Sequence, residues 1–264
     1  MPKPNSPPSM KFALDGREVD LLHWIYTRPD IKEISGNPAK VLAAIDEYSN
    51  AFSVLMNIGS AKGAHITSVI DQHKPSVFLE LGVYVGYSAI LFGQAVRSNG
   101  GKKYIGIEKN PEMAAVANQL VDLAGLRGFV QIIVGPSDEV LRELIRERNE
   151  ITQVDMLMFD HWQELYRPDV WLLEELGVLV PGVTVLLADN IIMPGAPDYR
   201  EWMEATPEKK RKLLKSLDVG SLRPNPDVVY ETTVPEFNTV FGKVSRSMMF
   251  FTCKINKRTG CCGD

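Results

Sequence analysis

Apolar residues recur at helical spacing near the start of the chain and in short, nearly unbroken runs further on. In "KVLAAIDEYSNAFSVLM" (40–56), Val41, Ile45, Tyr48, Phe52 and Leu55 fall on one helical face, and the spacing predicts a second helical stretch over about 61–72. Apolar, β-branched runs follow: "SVFLELG" (76–82), "YIGIEK" (104–109), "VQIIVG" (130–135), "DMLMFD" (155–160) and "VTVLLAD" (183–189). Runs with so little alternation predict strands covered on both faces. Helices are expected between them, one capped by Asn110-Pro111-Glu112 and ended by Gly125, another ("RPDVWLLEEL") closed by Gly177. Repeated strand–helix units imply right-handed crossovers and an α/β, doubly wound parallel sheet. Two later β-like runs, 227–234 and 245–254, suit an antiparallel hairpin at one sheet edge.

Composition narrows this picture. With 264 residues, 45% of them hydrophobic, the chain can bury one large core. The expected organisation is a disordered arm over 1–10, one domain with N-terminal helices over 11–255, and a flexible tail over 256–264. A net charge of −4 supplies no basic surface for nucleic acid or an acidic membrane. Cys253, Cys261 and Cys262 form neither a disulfide framework nor a zinc spacing. No apolar leader or membrane-length run is visible, so a soluble, cytoplasmic protein is the expectation. No large apolar patch reads as an interface, and a monomer is the default.

Candidate chemistry collects where the strands end. Ligands of such sheets bind beyond the carboxyl ends of the strands, and there the chain places Glu80 and Gly82, Glu108, Gly135 to Ser137, Asp160 and His161, and Asp189 and Asn190. A single strand ending in Asp or Gly merely begins a loop; five such ends are harder to explain that way. A nucleotide phosphate would want G-x-G-x-x-G or a P-loop with free helix amides. In "ELGVYVGYS", Glu80 occupies the phosphate's place, where a carboxylate repels phosphate but accepts from an ammonium group. Glu108 ends the next strand, where an acid accepts two ribose hydroxyls. Ribose and ammonium without phosphate describe S-adenosylmethionine. Asp160, Asp189 and Asn190, on strands about 5 Å apart, offer only oxygen ligands and suit a hard cation such as Mg²⁺. Two plainer readings stay open: Asp189-Asn190 capping the following turn, and Asp160 paired with Arg167.

The chain resembles the animal-type catechol O-methyltransferases over roughly 38–203. The resemblance is carried by "MNIGSAKG", "KPSVFLELGVYVGYSA", "IEKNPEMAA", "FDHWQELYRPDVWLLEE" and above all "GVTVLLADNIIMPGAPDY"; residues 204–264 match poorly. It implies a Rossmann-like S-adenosylmethionine-dependent methyltransferase fold with a seven-stranded, mostly parallel sheet. It further implies a cofactor site of Met56, Ile58, Glu80, Gly82, Tyr84, Ser88 and Glu108, with Ser137 and Asp138 near the adenine and Asp160 beside it. His161 and Trp162 would cover the purine, and Asp160, Asp189 and Asn190 would bind Mg²⁺. The implied reaction chelates two vicinal aromatic hydroxyls on Mg²⁺, lowers the pKa of one and aims it at the sulfonium methyl. An aromatic diol is the implied substrate.

Departures from the family pattern matter. Gln163 stands where the family carries a lysine thought to be the general base, and an amide cannot hold that proton. Glu164 or a water are the remaining acceptors. Val54 replaces a frequent tryptophan on the acceptor-pocket wall, whereas Pro194 matches a pocket-wall proline. Glu231 and Glu236 are both candidates for a substrate-binding C-terminal glutamate. Alternatives are therefore a weakened S-adenosylmethionine-binding protein or a methyltransferase with a different acceptor. His23, His65 and His73 read as solvated, and "EKKRKLLK" (208–215) as a solvated helical face with an outside role in covering the acceptor.

Overall fold

A computed structural model describes residues 13–233 and 251–255. The expected arm over 1–10, the tail over 256–264 with Cys261 and Cys262, and Glu236 lie outside the described residues. The fold comprises two compact units: the described residues up to Ser76 with Val83–Gly135, and Val77–Gly82 with the described residues from Pro136 onward.

In the first unit, helices α1 (Arg17–Tyr26), α2 (Ile31–Ile34), α3 (Pro38–Ala51) and α4 (Ser60–His73) precede the strand–helix pattern. The predicted 40–56 helix is displaced: Asn37 Oδ1 caps the Lys40 amide at 3.2 Å, and the helix ends at Ala51. Beyond it the Leu55 amide donates to Ser49 Oγ (3.2 Å), a local side-chain bond that competes with another helical turn. Phe52 and Leu55 thus leave the helix, although Leu55 stays buried. His23 and His73 are exposed as expected; His65 is half-buried, and burial lowers its pKa. The second half of this unit holds α5 (Tyr87–Ser98), β2 (Lys103–Glu108), α6 (Pro111–Leu123) and β3 (Val130–Val134). Strands β2 and β3 pair in parallel from Tyr104↔Val130 to Glu108↔Val134. Between them α6 starts as predicted, with Asn110 Oδ1 accepting from the Glu112 and Met113 amides, and Gly125 takes φ 72° just past its end.

The second unit contains β1 (Val77–Leu81), α7 (Ser137–Arg142), β4 (Met156–Phe159), α8 (Tyr166–Leu176), β5 (Val185–Ala188), α9 (Pro197–Glu204), α10 (Pro207–Leu213), β6 (Tyr230–Thr233) and β7 (Phe251–Ile255). β1, β4 and β5 are parallel neighbours, followed by β7 and β6 in antiparallel pairing. Every residue of β4 and β5 is buried, which is why their sequences show no polar alternation.

The solvated reading of 208–215 fails at one residue. Lys210 is fully buried: its ammonium donates to the Val228 carbonyl (2.8 Å), lies 4.6 Å and 4.5 Å from the ring centroids of Trp202 and Tyr230, and stands 3.9 Å from Glu174 Oε1. Glu174 also accepts from Trp202 Nε1, the Tyr230 hydroxyl and the Asn225 amide. Burial pushes its carboxyl pKa up, and the nearby ammonium opposes that shift. A basic run hid this lysine because its partners lie far away in sequence. Lys210→Met is expected to leave a buried carboxylate without its cation and to cost about 3 kcal/mol, read as a Tm loss of several degrees; an unchanged Tm would contradict the coupling.

Candidate active site

Register brings the acids of the second unit together. Phe159 pairs with Ala188 across β4 and β5, so the next residues, Asp160 and Asp189, are neighbours, and the Asp189 amide donates to the Phe159 carbonyl at 2.9 Å. Asp189 is 3% exposed and Asp160 is half-buried. Asn190 follows with φ 56°, a left-handed turn that asparagine tolerates, and its amide donates to Asp189 Oδ1 (2.7 Å). That bond reaches only the next residue, and the turn that follows, with Asn190 at its start, has no side-chain cap bond. Arg167 pairs with Asp198 (3.1 Å). Both acids lie near the Tyr166 hydroxyl, whose pKa is held well above its usual value, first by burial and then by the charges of Asp160 and Asp189. Among the described residues no group of three or more His, Cys, Asp or Glu could hold a metal ion; the ends of these two strands carry two carboxylates and an asparagine amide. That all-oxygen set fits a hard cation.

The loop after β4 is packed tightly. Gly82 has φ 90°, and a Cβ there would sit 2.5 Å from the Asp160 carbonyl oxygen and 2.9 Å from His161 Cα. Glycine at 82 is thus what lets the end of β1 lie flush against the segment that carries Asp160 and His161. Glu80, two residues earlier on β1, is fully buried. His161 Nε2 lies 2.7 Å from Asp169 Oδ2, and its ring stacks on Tyr166 at 5.1 Å and 24°. Ser137 Oγ donates to the same Asp169 oxygen (2.8 Å). Trp162, by contrast, is 73% exposed, an unusual state for an indole. Gln163 is half-buried in a short turn before α8, Glu164 and Asp138 are exposed, and Pro194 is exposed beyond β5. Glu231 is exposed on β6.

In the first unit, Glu108 is a fixed acceptor. It is 8% exposed; one carboxylate oxygen accepts from the Val83 and Tyr84 amides (3.1 and 2.9 Å), the other from the Asn110 amide (2.8 Å). Three backbone donors orient this carboxylate and take three of its roughly four lone-pair sites, leaving one, on the oxygen that faces the Asn110 amide, for a further donor. Tyr84 adopts φ 52°, and its hydroxyl donates to buried Glu18 (2.9 Å); burial raises its pKa, with the Glu18 charge adding to the shift. Ser88 is buried in α5, Ile58 is buried and Met56 half-exposed. Val54 is 71% exposed, and its carbonyl accepts from Arg17 Nη1 (2.5 Å).

Comparison with known proteins adds the lineage. A family profile described as a methyltransferase domain matches residues 79–191. The chain is 41% identical to bovine catechol O-methyltransferase over 170 residues, covering 64% of this chain but only 61% of the bovine protein. It is 44% identical to the pig catechol O-methyltransferase over 144 residues, 54% of this chain and 75% of that protein. The chain belongs to the catechol O-methyltransferase family. Its backbone also matches the solved O-methyltransferase from Bacillus cereus with a TM-score of 0.57 at 16% identity, over 88% of this chain and 92% of the other. The Rossmann-like methyltransferase fold expected from the sequence is therefore present: a mostly parallel central sheet with helices on both sides. Within this catechol O-methyltransferase family member, two residues near the candidate acids escaped the sequence reading, Tyr166 and Asp169. They sit three apart on one helix, a spacing that places them on one face, but nothing in "ELYRPDV" marks that face as the one turned to His161.

Proposed function

We propose that the protein is an S-adenosylmethionine- and Mg²⁺-dependent O-methyltransferase for a catechol-like small molecule. The observation that carries this reading is the β4–β5 register, which sets Asp160 and Asp189 side by side with Asn190 next in the chain. Bound S-adenosylmethionine would supply an activated sulfonium methyl, and Mg²⁺ would supply charge that lowers the pKa of an aromatic hydroxyl. Asp160, Asp189 and Asn190 would hold the cation. Glu108 would hold the ribose hydroxyls, Glu80 the ammonium group, and His161 and Trp162 the purine, with Ser137 and Asp138 at its edge; Met56, Ile58, Gly82, Tyr84 and Ser88 would complete the seat. Val54 and Pro194 would wall the acceptor. The protein's contribution is then mostly positioning and fixed charge.

Gln163 favours a second reading. Because an amide is not a base, the chain could instead retain cofactor binding with weak turnover, or serve an acceptor that ionises unaided. Burial, and then the charges of Asp160 and Asp189, push the Tyr166 hydroxyl pKa well above its usual value.

Glu108→Gln tests the cofactor half of the proposal. The mutant amide presents an N–H where a backbone N–H now donates, so S-adenosylmethionine affinity measured by calorimetry is expected to fall about 10- to 100-fold. Unchanged affinity in the variant would place the ribose elsewhere.

A further inference from the structure

Asp169 has no role in the reaction outlined above, yet it is the best-connected carboxylate near the purine-covering loop. It is 2% exposed, and its Oδ2 atom faces both Ser137 Oγ (2.8 Å) and His161 Nε2 (2.7 Å). A carboxylate offers only lone pairs, so both neighbours turn protons toward it. His161 therefore turns an Nε2–H toward it, while its Nδ1 atom is buried with no hydrogen-bond partner among the described residues. Ser137 has one hydroxyl hydrogen, and that hydrogen is committed. Half-buried as it is, Ser137 can present only lone pairs to anything that docks against it. Asp138, next in the chain and exposed, is likewise an acceptor when ionised.

We infer that Asp169 is a positioning residue that sets the polarity of the purine edge: by holding Ser137 as a pure acceptor it selects a base bearing an exocyclic amine over one bearing an oxo group. The inference rests on the proposed cofactor seat, in which Ser137 faces the base. An adenine 6-amino group can donate to Ser137 Oγ, whereas the 6-oxo group of hypoxanthine would face lone pairs and lose its own water without compensation.

Equilibrium binding of S-adenosylhomocysteine and S-inosylhomocysteine, measured by calorimetry on the full chain, tests this without reference to turnover. The wild-type protein is expected to prefer the adenosyl compound by about 10- to 100-fold. In Asp169→Asn the amide can donate, the Ser137 hydroxyl is released to donate outward, and the preference is expected to collapse to within about threefold. Ser137→Ala leaves the buried carboxylate in place and should narrow the preference as well, which keeps the test open if Asp169→Asn does not fold. A residue that served only packing would weaken both ligands alike and leave their ratio unchanged. Equal wild-type affinities, or a preference that survives in either variant, would overturn the inference while leaving the cofactor reading intact. A wild-type protein that binds neither compound would overturn both.

Discussion

Asp189→Ala is expected to abolish methyl transfer from S-adenosylmethionine, by at least about 10³-fold, while leaving cofactor affinity within about threefold. The expectation follows from where Asp189 sits. It ends a fully buried strand, is 3% exposed, and is held by backbone bonds on both sides, its amide on the Phe159 carbonyl and its Oδ1 under the Asn190 amide. Nearly dry and beside Asp160 on the neighbouring strand, it is one of the three proposed cation ligands, whereas Glu108 is the residue proposed to hold the cofactor's ribose. Removing it should therefore separate chemistry from cofactor binding. Loss of the Oδ1 bond to the Asn190 amide is a structural side effect of the alanine, so Asp189→Asn, which keeps an acceptor oxygen, is the paired control for folding. A variant that still methylates at full rate without added metal would sink the metal assignment.

Gln163→Lys should act in the opposite direction, raising turnover of catechols by about 10²-fold or more, the range general-base catalysis supplies. Gln163 lies half-buried in the turn that enters α8, one residue after the exposed Trp162. A free amine there could take a proton that the amide cannot. Among its neighbours, Glu164 is exposed, and burial together with the charges of Asp160 and Asp189 raises the Tyr166 hydroxyl pKa well above its usual value. Steady-state rates at saturating S-adenosylmethionine read the effect. No change on restoring lysine would mean that the acceptor is not a simple catechol, and would move weight to the alternative acceptor.

The strand ends were legible in the sequence because a parallel sheet converts chain order into proximity. Once "DMLMFD" and "VTVLLAD" read as adjacent strands, Asp160 and Asp189 had to lie side by side, and the observed register puts them there. The caps at Asn110 and Gly177 were legible for a local reason, since their hydrogen bonds and left-handed angles involve only near neighbours. What was hidden depends on long-range partners. Lys210 looks solvated among the basic residues beside it until Trp202, Tyr230 and Glu174 close around it. Asp169 looks like an ordinary acid in a helix's first turn; its partners lie 32 and 8 positions earlier, and only folding delivers them to one oxygen. The end of α3 was misplaced because one serine hydroxyl, satisfying the Leu55 amide, outweighed an apolar periodicity that continued past it.

The central claim, a metal-assisted methyl transfer to vicinal hydroxyls, is tested most directly by incubating the full chain with S-adenosylmethionine and a panel of catechols, with Mg²⁺ and again with EDTA, and reading products by mass spectrometry. The account predicts a mono-methylated catechol that forms with Mg²⁺ and disappears with EDTA. Equal product in EDTA, or no product from any catechol while calorimetry shows the cofactor bound, would contradict it.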